Sequence, residues 1–429
     1  SNSLRMEVNG EVGRIPLTVD QPIADVKLSA LIQAKNTSTL STVLGVSIPD
    51  LGPLKATGRL IDRTGIIGVR DVKVLVGNDK NAKLKVTGTV ASLLKDYDVA
   101  VDGIALVVEA RDLGLKSFSN LIGQPLPDVG PINGSFRLAG SPMKLAISKT
   151  KLSSVSPQGL KLTVTGGVDR IRPGGQKPLE GVDVSLSATA PNSGVLAALV
   201  NIELPDLGPV QMGARVGDGS GSLDVKTFDI RSGSGKEATF HMQGQILRIT
   251  DLKQMALQAA FETASQPWVE KYLQQPQADN IPLTGTIKVR GAAENLIIDR
   301  IRFGTADGKR LDLEARGRLT QLSASPAVNL QLTASAPDPP AIGSMVGVSL
   351  PPLNALTING RLNGNAQKVV FEGQTRIGGT IFTSKVSGAL AGQRPRIEGS
   401  FAAKIVNLED MGIYPQAPVD DAGKTDAPA

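Results

Sequence analysis

The sequence predicts a mainly β protein: an elongated, curved antiparallel sheet assembled from about five repeats of 73–78 residues, each with one short helix. Three observations lead there. An apolar triplet at helical spacing recurs as Leu40, Val43, Leu44; Phe118, Leu121, Ile122; Leu196, Leu199, Val200; Val269, Tyr272, Leu273; and Ile342, Met345, Val346. The steps are 78, 78, 73 and 73 residues, as counted from Leu40, Phe118, Leu196, Val269 and Ile342. A Pro/Gly element follows at near-constant distance, seen as Pro49-Asp50-Leu51-Gly52-Pro53, Pro127-Asp128-Val129-Gly130-Pro131 and Pro205-Asp206-Leu207-Gly208-Pro209. Between copies the pattern alternates strictly between apolar and polar, the period of a strand with one apolar face. A fixed period of this length marks units that bury their faces against their neighbours.

Taken in order, residues 1–36 read as trailing strands of a truncated preceding repeat, and five repeats follow at 37–114, 115–192, 193–265, 266–338 and 339–410. In the first, the helix and Pro/Gly element lead into alternation at Leu54, Ala56, Gly58, Leu60 and then Val72, Val74, Val76. A strand with the layout apolar, apolar, Gly, apolar comes next, at Leu84, Val86, Gly88, Val90. It recurs at Leu162, Val164, Gly166, Val168, at Phe240, Met242, Gly244, Ile246 and at Leu313, Ala315, Gly317, Leu319. The Gly stands on the apolar face each time; such a Gly marks a bend or a close approach, and its repetition predicts a sheet curling over that face where a side chain would crowd. A last stretch, such as Val99 and Val101 to Ile104, Leu106, Val108, or Val182, Val184, Leu186, Ala188, completes four or five strands per repeat. Turn residues at Gly77-Asn78-Asp79, Pro173-Gly174-Gly175 and Asp307-Gly308 keep the connections short, which favours antiparallel meanders over crossovers. Leu408 and Met411 open a further helix. Residues 411–429 turn to Pro, Asp, Ala and Gly and read as a disordered tail.

Composition removes several classes of function. The 46 basic and 40 acidic residues give a net charge of +6 without a run of five like charges, so nucleic acid is not an indicated partner. With no cysteine there are no disulfides, thiolate nucleophiles or cysteine metal sites. At 3% aromatics the chain lacks the platforms of sugar or base stacking. Its longest apolar runs, Ile104–Val108 and Val195–Val200, fall far short of the roughly 20 residues that span a bilayer. Ser1–Ser3 show neither the basic region nor the apolar core of a secretory signal.

The sequence carries no catalytic pattern. The sole histidine, His241, sits between Phe240 and Met242 with the parity of a polar-face strand residue, and one histidine without cysteine makes no metal site. Gly235-Lys236 and Gly423-Lys424-Thr425 lack the first glycine of a phosphate loop, since Ile230 and Pro418 stand there. The cluster Gly217–Gly221 reads as a hairpin turn. Asp50, Asp128 and Asp206 recur too far apart for one ligand set and are assigned to turns, where Asp bonds its own backbone. No catalytic residue, metal or cofactor is predicted, and the chain reads as no enzyme.

The order of short helix, Leu204-Pro205-Asp206-Leu207-Gly208-Pro209 and strands carrying Gly58-Arg59-Leu60 or Gly360-Arg361-Leu362 resembles the AsmA-like proteins of Gram-negative bacteria, over residues 37 to 410. The fourth copy departs, with Ile281-Pro282-Leu283-Thr284-Gly285, and the fifth has Asn354 and Ala355 where Gly and Pro stood. The resemblance implies a repeating β-groove held in the inner membrane by an N-terminal helix and reaching through the periplasm, a bridge for phospholipid that supports outer-membrane assembly. On that view the sequence is a soluble periplasmic fragment. No catalytic residues come with the family.

One apolar sheet face with little helix to cover it is an interaction surface. Twenty or more strands at about 4.8 Å spacing give a groove roughly 100 Å long. Its lining is expected at Val72, Val74, Leu84, Val86, Val164, Leu186, Phe240, Met242, Leu313, Leu330 and Ile358. Alternation alone fits a filled sandwich equally well. The alternatives are an elongated structural scaffold, or a chaperone that binds envelope protein partners through the sheet edges.

Overall fold

The computed structural model describes residues 4–15, 23–41, 49–63, 65–78, 81–95, 98–119, 128–172, 179–200, 207–219, 222–233, 238–249, 252, 254–263, 282–292, 294–321, 326–345, 351–365, 367–389 and 396–413. Within them the protein is mainly β, with 22 strands in one antiparallel sheet that stays open and does not close into a barrel. The chain divides into two compact units, Ser1–Ser232 with Gln243–Leu252, and Gly233–Met242 with Lys253–Ala429.

The first unit is built on β1 (Leu4–Arg14), β2 (Ala24–Ala34), β3 (Leu54–Arg63), β4 (Ile66–Asn78), β5 (Asn81–Lys95), β6 (Asp98–Gly114), β7 (Pro131–Ser141), β8 (Lys144–Val155), β9 (Lys161–Ile171), β10 (Leu179–Ala190), β11 (Val210–Asp218) and β12 (Leu223–Gly233). After β13 (Ala238–Leu247), the second carries β14 (Gln254–Thr263), β15 (Leu283–Ala292), β16 (Asn295–Thr305), β17 (Asp312–Thr320), β18 (Ala327–Ala336), β19 (Leu356–Asn365), β20 (Lys368–Ile377), β21 (Thr380–Ala389) and β22 (Arg396–Ala402). From β1 to β12, and again from β14 to β22, each strand pairs with the next along the chain, as the short turns require. β10 shows why these residues form strands: Val182, Val184, Leu186, Ala188 and Ala190 lie on the sheltered face while Asp183, Ser185, Ser187 and Thr189 are exposed. A register slip of one residue would exchange the two sets, so the apolar face fixes the pairing.

Among the described residues, five short helical segments accompany the strands. They are 3-10 turns at Thr37–Leu40, Leu115–Phe118 and Leu408–Met411, and the α-helices α1 (Ser193–Val200) and α2 (Pro339–Met345). Asn36, Asn192 and Asp338 cap three of them by accepting from the backbone N–H groups of Thr39, Val195 and Ala341. Four strands separate the first turn from the second, and four separate the second from α1. Of the apolar triplets, Val43, Leu44, Leu121, Ile122, Val346 and all of Val269, Tyr272 and Leu273 lie outside the described residues, as do residues 414–429 and Pro173-Gly174-Gly175. Among the described residues no helix is long and apolar enough to cross a membrane.

At the inner-face glycines the side chain is excluded for a different reason from the crowding predicted. Gly88 and Gly317 have φ of +147° and +153°, and a Cβ on either would fall on the carbonyl oxygen of Ala105 or Asn329 in the paired strand. Backbone is what excludes the side chain there, rather than crowding above the sheet. Bulges add to the distortion: the register shifts between Val69 and Val72 in β4, Ala110 and Leu113 in β6, and Ile147 and Thr150 in β8. Asp71, Asp112 and Lys149, with φ of 52°, 48° and 52°, take the left-handed conformation at these points. Each bulge sharpens the local right-handed twist.

Buried aliphatic side chains cluster at one margin of the first unit. Ala34, Leu51, Leu54, Val76, Ala110 and Leu113 form one cluster, with Leu40 packed against it; Val129, Leu160, Ala188 and Ala190 form another, with Leu115, Val195 and Leu196. The helical turns and Pro/Gly elements thus close one rim of the apolar face.

Candidate functional site

The cross-strand register assembles the apolar face into rows. One runs Met6, Ile32, Ala56, Val74, Val86, Val108, Phe136 across β1 to β7. A second runs Val72, Gly88, Leu106, Leu138, Ile147, Val168, Val182 across β4 to β10. A third joins Leu152, Val164, Leu186, Ala214 and Phe228 across β8 to β12. In the second unit, Ile298, Gly317, Leu330, Leu362, Phe371 and Val386 form one row. Phe303, Leu313, Ala334, Ile358, Thr375 and Phe382 form another. No charged residue stands in these rows.

All eleven predicted lining residues are half-buried. Val72, Val74, Leu84 and Val86 come together on β4 and β5, and Val164 faces Leu186 directly. Leu313, Leu330 and Ile358 share the face of the second unit. Phe240 and Met242 keep the same parity on β13. Within each unit, every extensive strand contact among the described residues is with the next strand in the chain, so no second sheet covers the rows. The row from Met6 to Phe136 grades from 63% exposure at Met6, on the edge strand, to 5% at Val108. Aliphatic surface left in this state favours an apolar occupant over water.

The rim is held by residues that sequence reasoning passed over. The Thr37 hydroxyl accepts from Leu51 N–H at 2.8 Å and donates to the Pro49 carbonyl at 2.6 Å. Ser193, at the start of α1, accepts from Leu207 N–H at 2.9 Å across the same 14-residue separation. Both side chains are buried. Each pins a Pro/Gly element to the helical turn before it, and the available signal was a hydroxyl residue three positions ahead of Leu40 and Leu196. Asp50 and Asp128 accept from the N–H groups of Gly52 and Gly130, forming the turns predicted for them. Asp206 lies outside the described residues. Lys116, 3.0 Å from Asp128, and the Gly130 N–H hold the Asp128 carboxyl below its ordinary value.

Gly219 N–H donates to the Ser222 carbonyl in the connection from β11 to β12. Among the described residues no group of three or more His, Asp or Glu side chains is placed to hold a metal ion.

These features define a long, mainly β protein with one open antiparallel sheet, apolar on one face and polar on the other. No family model, no curated protein and no solved structure matches this chain.

Proposed function

We propose that the chain is a non-enzymatic lipid-transport module of the AsmA-like type, which carries phospholipid acyl chains along its apolar face between the inner and outer membranes. The observation that carries this reading is the seven-strand row from Met6 to Phe136, apolar throughout and uncovered by a second layer. Each methylene laid on such a surface recovers about 0.8 kcal/mol, so ten recover roughly 8 kcal/mol at full burial. Neighbouring strands offer near-equivalent Val, Leu and Ile positions, so an acyl chain can move between rows without a deep trap. The headgroup stays in water and needs no dedicated pocket. The order of helix, Pro/Gly element and strands supports the family assignment and, with it, a periplasmic location and an inner-membrane anchor outside this sequence.

The test is twofold. Organic extraction of the purified chain followed by mass spectrometry is expected to yield phospholipid. Val86→Asp and Leu313→Asp are expected to stop transfer between donor and acceptor vesicles while leaving the circular dichroism spectrum unchanged. A chain free of lipid, and indifferent to both charges, would sink the proposal.

A scaffold that docks partner strands draws on a separate observation: every residue of β22 is exposed, with Ile397 at 74% and Phe401 at 59%. That reading predicts capture of extended peptides, and loss of capture when Pro replaces Glu398.

A further inference from the structure

The polar face of β15 to β17 gathers charge differently from the rest of the sheet. Register places Lys288 opposite Arg300, and Arg302 opposite both Thr286 and Glu314. Arg316 follows two residues along the same face of β17. With Arg290 and Arg318 the three strands present six cations on this face, against the three anions Asp299, Asp312 and Glu314. Asp299 is engaged by Arg290 at 3.0 Å. Three guanidinium groups therefore converge on Glu314: Arg316 donates through Nε at 2.8 Å, while Arg300 and Arg302 stand 3.5 Å away on different carboxylate oxygens. Arg302 also lies 3.8 Å from Asp312.

The donor count does not balance. Three guanidinium groups offer about fifteen N–H donors, whereas Glu314 and Asp312 accept about four each. The distances from Arg300 and Arg302 exceed the roughly 2.7–2.9 Å of a saturated charge-assisted bond. Glu314, 23% exposed beneath arginines that are 47%, 53% and 56% exposed, orients the three forks without using up their donors. The arginines draw its carboxyl below the ordinary value, so it remains the fixed anionic centre of the cluster. Two shallow depressions flank the cluster and share Thr286 and Arg300.

We propose that Arg300, Arg302 and Arg316 form a binding site for a phosphate group, with Lys288 and Thr286 at its border. A tetrahedral anion with several acceptor oxygens suits planar forks that offer paired N–H groups. The site faces away from Ile301, Leu313 and Ala315, so a phospholipid lying on the apolar face of these strands cannot place its own phosphate there. The ligand is either a soluble phosphate compound or the headgroup of a bilayer lying against the polar face, and the site stands or falls independently of lipid transport.

The full chain would be titrated with inorganic phosphate by 31P NMR line broadening. It would also be co-sedimented with phosphatidylcholine vesicles with and without phosphatidylglycerol, at low and high salt. Phosphate is expected to bind, and R300Q/R302Q to weaken it by about tenfold. Glu314→Gln, which keeps the forks and removes the competing anion, is expected to bind at least as tightly as the parent. Arg215→Gln, on the polar face of the other unit, is expected to change nothing. Binding of the phosphatidylglycerol vesicles alone assigns the site to a membrane surface; binding of free phosphate assigns it to a soluble ligand. If neither probe binds, or if R300Q/R302Q binds like the parent with its fold intact by circular dichroism, the site does not exist.

Discussion

The two units share a strand grammar and an apolar face but finish their margins and polar faces differently. In the first, Arg59 pairs with Asp71, Lys85 with Glu109 and Arg215 with Asp183, while Arg170 and Arg172 share Glu180, at most two cations to one anion among these. In the second, three arginines crowd one glutamate. The first unit closes its rim with aliphatic clusters. At the end of the second, the 3-10 turn Leu408–Met411 folds back so that the buried carboxylate of Asp410 accepts from Asn354 Nδ2 at 2.9 Å, Gly379 N–H at 3.0 Å and Thr380 Oγ1 at 2.8 Å. Register shifts occur in both units, at β4, β6 and β8 in the first and around β16 in the second, whereas the ladder from β17 to β22 runs without a shift. What stays constant is the uncovered apolar face. The proposed lipid path uses only that constant face, which leaves the margins free to vary in chemistry.

The largest effects are expected where the aliphatic rim is broken. Val76, 3% exposed within the first cluster, has no polar partner for a charge, so Val76→Asp should cost about 3–5 kcal/mol and lower the denaturant midpoint steeply. Val74→Asp, two residues away in the half-buried row, should cost far less and act on lipid instead. Equal destabilisation by the two would erase the distinction between a closed rim and an open row.

Gly88→Ala comes next. The added methyl would meet the Ala105 carbonyl oxygen, and φ of +147° is unfavourable to alanine whatever the space, so about 2–3 kcal/mol should be lost. Gly213→Ala, where a Cβ meets nothing within 4 Å, is the matched control and should be nearly silent.

Asp410 gives a smaller, local effect. Asp410→Ala leaves the buried Thr380 hydroxyl, and with it the more exposed Asn354 Nδ2 and Gly379 N–H, without their acceptor, and amide exchange at Gly379 should quicken by about tenfold while β14 to β16 keep their protection. The hydrogen bonds from Asn354 and Thr380 hold the carboxyl below its ordinary value of 3.8. A depressed folded value means that the latch contributes fully above pH 3.8 and is lost only as the pH falls below it. A protection factor at Gly379, corrected for the intrinsic exchange rate, that falls near neutral pH instead would assign the latch to another group.

Much of this was legible in the sequence. Alternation exposed the strands, and the Pro/Gly elements exposed the turns at Asp50 and Asp128, because both signals are local. The bulges were not legible: Asp71, Asp112 and Lys149 interrupt a pattern only relative to a partner strand, and one extra residue leaves the apolar spacing readable on either side. The latch was hidden for a different reason. Asn354 looked like decay of the fifth Pro/Gly element, and its partner Asp410 lies 56 residues on in a segment read for its apolar residues Leu408 and Met411. Leu408 proves exposed at 54%, and the polar residue beside it makes the contact. The arginine cluster depends on register across three strands, which no single stretch encodes.

The smallest expected effect is the most direct check on the polar faces. Arg215 and Asp183 form an exposed bidentate pair at 2.9 and 3.0 Å, and the pair holds the Asp183 carboxyl below its ordinary value. Both side chains are about two-thirds exposed, so solvent and salt screen the attraction. Arg215→Gln should leave the thermal midpoint unchanged, and added salt should leave the comparison with the parent unchanged. Glu314→Gln removes the centre of a cluster in which three cations repel one another. Its midpoint should fall at low salt and recover as salt screens the arginines, because the carboxylate is what offsets that repulsion. A salt-independent Glu314→Gln variant would mean that the arginines are separated by solvent rather than by Glu314, and the two polar faces would then be equivalent.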